Sequence, residues 1–113
     1  MARRGGDSIV IIAWRDIPAQ VNGRVGDARH QVILPEVFHT AIDRAAMVAD
    51  KKTAGDYVAE WRRTAIPLTA GADLASATQA EADRLEELFG TVRLDAFVAA
   101  GGWDPDRTEH ERV

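Results

Sequence analysis

The densest run of chemically capable side chains is Trp14-Arg15-Asp16-Ile17-Pro18-Ala19-Gln20. It sets an indole, a guanidinium and a carboxylate side by side, just ahead of a rigid proline. A turn that only reverses the chain needs proline or glycine and polar neighbours. An indole next to a guanidinium adds contact area and directional hydrogen bonds, the pairing favoured at binding hot spots. Trp14, Arg15, Asp16 and Gln20 therefore read as a recognition edge that binds a partner or ligand without breaking bonds. Arg15 and Asp16 are expected at one end of a sheet and partly exposed. The competing reading is a tight turn carrying a surface ion pair worth ~0–1 kcal/mol. Arg44, Arg62 and Arg63 extend the edge wherever the fold brings them close to it.

Other chemistries find little to work with. Cysteine is absent, which removes disulfides, thiolate metal sites and cysteine nucleophiles together. His30, His39 and His110 fall in a strand, a helix and a tail, and none has a second histidine or carboxylate at metal-ligand spacing that repeats a known pattern. Asp104, Asp106 and Glu109 lack the glycine and distal glutamate that a calcium loop needs. Ser8 and Ser76 are the only serines, and neither lies in a strand-to-helix elbow. Gly5-Gly6 is too short to cradle a phosphate. The expectation is no catalytic residue, no metal and no cofactor. With 113 residues, 46% hydrophobic and 28% charged, the chain is one domain able to bury a real core. A net charge of -4 argues against a nucleic-acid partner, and twelve arginines against two lysines read as composition bias. No apolar run approaches the ~18 residues of a membrane span. The run Ile9 to Trp14 behind Arg3 and Arg4 is too short and too soon broken for a signal peptide. A soluble, cytoplasmic protein is expected, with no membrane partner.

The elements that must position these residues follow from hydrophobic spacing. Residues 8–14 hold the β-branched run Ile9-Val10-Ile11-Ile12, suited to a central strand. Residues 19–25 alternate as a half-buried strand, Gly26-Asp27 turns the chain, and residues 29–34 form a third strand. The economical topology is a three-stranded antiparallel meander over residues 8–34. Pro35 and Glu36 open a helix in which Phe38, Ala41, Ile42, Ala45, Val48 and Ala49 make one apolar stripe. Thr53 and Asp56 form a capping pair for a helix over 54–63, with Tyr57, Val58 and Trp61 on one face and Trp61 in the core. These two helices are expected to cover the sheet. Residues 64–72 read as a connector and 73–89 as a long helix bearing Leu74, Ala77, Leu85 and Leu88. Gly90 is its left-handed cap, and Thr91 caps a short helix that ends at Gly101-Gly102. The class is α+β with a helical C-terminal half: a core over 8–63, a helical extension over 73–100 and a mobile tail over 103–113.

Three blocks carry a resemblance. Ile11-Ile12-Ala13-Trp14-Arg15-Asp16-Ile17-Pro18-Ala19-Gln20-Val21, then Ala41-Ile42-Asp43-Arg44-Ala45-Ala46-Met47, then Glu60-Trp61-Arg62-Arg63 resemble, in that order, the bacterial virulence factor domain. That family also supplies the end module of the longer conserved virulence factor C proteins. The blocks fall within residues 8–63, and the chain departs from the family pattern at Pro35 and at Asp50-Lys51-Lys52. Short members of the family are often encoded beside corrinoid methyltransferases and methylenetetrahydrofolate reductase-like proteins, so the resemblance implies a role in one-carbon metabolism. The expected function is a non-catalytic accessory protein whose partner is such a methyltransferase or reductase-like enzyme. The alternative is a small-molecule-binding subunit, with Arg15, Asp16 and Arg44 contributing to a site for a folate-like or anionic ligand.

Overall fold

The computed structural model describes residues 7–51, 53–69 and 71–107. Four antiparallel strands form one sheet: β1 (Ser8–Trp14), β2 (Ile17–Val25), β3 (Ala28–Ile33) and β4 (Trp61–Pro67), in the order β3-β2-β1-β4. The β-branched run of β1 lies at the centre, where both backbone edges are paired; Ile9 is buried and Val10, Ile11 and Ile12 are half-buried. Between β1 and β2 the register slips at Ile12/Ala13, a bulge that accommodates Pro18, which has no amide hydrogen to give.

The sheet therefore has four strands and not three. The segment over 54–63 is not one helix: α2 (Ala54–Val58) is capped by Thr53, whose Oγ1 accepts from the Asp56 amide, and ends after one turn. The chain then runs back along β1 from Trp14↔Trp61 to Ser8↔Pro67, so most of the expected connector is strand. The reason is non-local. Without β4 the apolar central strand would present an unpaired edge to solvent. Nor does the second helix cover the sheet, since α2 buries no residue and Val58 is 63% exposed.

Two other helices join α1 (Glu36–Val48) around the core, namely α3 (Leu74–Leu88) and α4 (Thr91–Ala99). α3 packs across β2 and β3, while α1 packs on α4 and β2. Ile9, Val21, Phe38, Ile42, Leu85, Leu94 and Phe97 are buried together, and Phe89 joins Phe38 and Phe97 edge to face. Val48 and Leu88, expected on apolar stripes, are exposed because each lies in the last turn of its helix, beyond the packed surface. Gly90 is the N-cap of α4 in an extended conformation, not a left-handed cap, and Thr91 is the first helical residue. Pro35 likewise stands just outside α1 as its N-cap. Asp73 caps α3 by accepting from the Ser76 amide. α3 sits so close to the sheet that a Cβ on Gly23 would collide with the Thr78 hydroxyl and stand 2.7 Å from Leu74 Cδ1.

Candidate functional site

β1 and β2 meet in a two-residue turn, Arg15-Asp16, closed by the pair Trp14↔Ile17. Arg15 has φ 53°, the left-handed region that disfavours a side chain by roughly 1–2 kcal/mol. Such a conformation persists only where the surroundings over-determine it, and here they do. The Arg15 amide donates to Glu60 O at 3.0 Å, Nε to Glu60 Oε1 at 3.1 Å and Nη1 to Gly101 O at 3.0 Å. Its guanidinium also lies over the rings of Trp14 and Trp103, 5.1 and 4.8 Å from their centroids.

Asp16 is held from the far end of the chain. Its amide donates to Gly102 O at 2.8 Å, while its carboxylate accepts from the Asp104 amide at 2.8 Å and from Arg107 Nη1 at 3.1 Å. Trp14 is fully buried and donates Nε1–H to Tyr57 O at 2.9 Å. Gly102, at φ 99°, leaves room for that indole, since a Cβ there would stand 2.8 Å from Trp14 Cζ3. The expected tail is thus bonded into the corner from Trp103 to Arg107; the remainder, 108–113, lies outside the described residues.

Trp14, Arg15, Asp16 and Arg62 come together at this corner, with the Arg62 guanidinium 4.7 Å from the centre of Trp103. Gln20 does not join them; it lies within the sheet between Ile12 and Ile33. Arg44 is on α1 and pairs with Asp95 of α4 at 3.1 Å, both side chains about half exposed. The turn pair stands at one end of the sheet and is half-buried, with 10% of the Arg15 and 12% of the Asp16 side chain accessible. The physical reason is that residues 101–107 fold over the turn and satisfy both charges internally.

An apolar groove adjoins the corner. Tyr57 stacks on Trp14 at 5.8 Å and meets Trp61 edge to face at 5.9 Å. Its other side faces a shallow groove of about 500 Å³ between α1 and α2, lined by Asp43, Ala46, Met47, Lys51, Ala54 and Tyr57 among others. Met47 is 64% exposed there. Lys51 Nζ stands 3.9 Å from Glu60 Oε2, which links the groove wall to the Arg15 bond network. Burial, and after it the Asp43 carboxylate, pushes the Tyr57 phenol above its ordinary pKa, so it stays a neutral donor. The wall is therefore an aromatic ring fixed from behind, with a flexible thioether in front, an arrangement suited to contact with another surface.

Tyr57, Met47, Glu60 and Trp103 were not singled out by the sequence as binding residues. Two signals point toward them: Met47 closes an apolar block one position off its stripe, and Gly101-Gly102 precedes a tryptophan. Among the described residues no group of three or more histidine or acidic side chains is placed to hold a metal, and no helix is long and apolar enough to cross a membrane. The family described as Virulence factor matches the chain over residues 12–98, which carries the likeness beyond the three sequence blocks through β4, α3 and nearly all of α4. No curated protein and no solved structure matches it.

Proposed function

We propose, for a chain that belongs to the virulence factor family, the function of a non-catalytic accessory protein that docks on another protein through the α1–α2 groove. The observation that carries this is exposed Met47 in front of Tyr57, a ring packed between Trp14 and Trp61. A rigid aromatic wall gives contact area without ordering cost, while an unbranched thioether adapts to the partner. Arg62 and Trp103 form a second contact at the neighbouring corner, and Trp14, Arg15 and Asp16 support that corner from behind. The partner we propose is a corrinoid-dependent methyltransferase or a methylenetetrahydrofolate reductase-like enzyme, met in the cytoplasm.

Titration calorimetry of the purified chain against each enzyme class tests the reading. A complex with one of them is expected, and Met47→Asp should weaken it at least tenfold by placing a charge in a desolvated contact. The melting temperature of the variant should match the parent, since Met47 is exposed. Undiminished binding by Met47→Asp would remove the groove from the interface, and the lack of any complex with either class would remove the partner.

A further inference from the structure

On the sheet face that α3 leaves uncovered, strand register gathers three arginines. Arg24 of β2 is paired directly with Arg29 of β3, and Arg63 of β4 stands opposite Ile12 of β1. All three line one groove of about 650 Å³. Its floor is the cross-sheet row Gln31, Asn22, Val10 and Ala65.

One feature of this groove is unresolved by the chain itself. Among the described residues no carboxylate pairs with Arg24, Arg29 or Arg63, although the sequence has 18 acidic residues against 14 basic ones. Like charges directly opposite on neighbouring strands are destabilising, and an anion lying between the exposed Arg24 and Arg29 guanidiniums removes that repulsion. Both guanidiniums are answered by a guest that brings negative charge.

We infer that the groove is a binding site for a small, elongated organic dianion. One carboxylate or phosphate is held between Arg24 and Arg29, whose planar forks match oxyanion geometry. The body of the guest lies over Val10 and Ala65. A second acidic group reaches Arg63. Arg24 and Arg63 are two strands and four residues apart in register, a Cα separation on the order of 16 Å at ordinary strand spacings. A guest whose two acidic groups lie on the order of 10 Å apart fits this span, with the arginine stems covering the rest. The groove volume is in the range that holds small molecules. No tryptophan, tyrosine or phenylalanine lines it, which leaves nucleic-acid bases without a stacking platform.

The test uses the full chain and azelate, a linear nine-carbon dicarboxylate, with acetate, an oligouridylate and tetraglutamate as comparators. Side-chain Nε–H resonances of Arg24, Arg29 and Arg63 should shift together and saturate with azelate, and acetate should bind at least tenfold more weakly. The double variant Arg24→Gln/Arg29→Gln should lose at least tenfold in azelate affinity without a lower melting temperature. Met47→Asp should leave azelate binding unchanged, which separates this site from the docking groove. The inference is overturned by the absence of saturable azelate binding, by equal affinity for acetate, by undiminished binding in the double variant, or by tighter binding of the oligouridylate or tetraglutamate at the same arginines.

Discussion

Arg15 contributes through its contacts and is opposed by its own backbone. Replacing it with alanine removes charge-assisted hydrogen bonds to Glu60 and Gly101 and keeps a Cβ at φ 53°. The loss should be ~2–3 kcal/mol, since hydrogen bonds to charged groups contribute roughly 1.5–3 kcal/mol each and Glu60 keeps its Lys51 contact. Arg15→Gly loses the same contacts but tolerates the left-handed conformation, so it should be more stable than Arg15→Ala by about 1 kcal/mol. Urea midpoints of the two variants decide this, and coincident midpoints would show that the φ value carries no penalty. At this scale the sequence was informative about which residues are unusual and silent about what they touch. Trp14, Arg15 and Asp16 stand out by type alone, whereas the partners that enclose Arg15 and Asp16 lie 45 to 91 residues away. No local pattern reports such a contact.

Gly23 shows how one element dictates the distance of another. Gly23→Ala would drive a methyl group into the Thr78 hydroxyl and the Leu74 side chain, so α3 must lift from β2 at a loss of ~1–3 kcal/mol, the usual range for overpacking. Adding Thr78→Ala should restore part of that loss, because the second change vacates the space the first one needs; strictly additive thermal denaturation energies would show that the two sites do not share it. The same element scale explains which parts of the fold were legible. β1 to β3 announce themselves by β-branched runs and by Gly26, which turns at φ 55°. α1, α3 and α4 do so by three- and four-residue apolar spacing. β4 was hidden because Arg62, Arg63 and Thr64 supply no apolar alternation, as befits an edge strand with solvent along one side. Its strand character comes from pairing with β1, and the helical spacing of Tyr57, Val58 and Trp61 pointed the other way.

For the molecule as a whole, the corner at Arg15-Asp16 joins the first hairpin to the segment that follows the last helix. A chain ending at Ala100 retains every helix and strand but lacks Gly101 O, Gly102 O, the Asp104 amide and Arg107. It should be ~2–3 kcal/mol less stable than one ending at Arg107, because Arg15 and Asp16 exchange charge-assisted hydrogen bonds for water as the turn is uncovered. Against a domain stability of roughly 5–15 kcal/mol that is a large fraction. Chevron analysis of both chains would place the loss, and equal unfolding rates with equal midpoints would show that the segment is a passive cover. The geometry also sets a schedule for synthesis. A nascent chain can form its first hairpin once residue 25 has emerged, but the turn cannot be secured until Arg107 has cleared the ribosomal tunnel, so the corner locks only after the strands and helices between them have emerged.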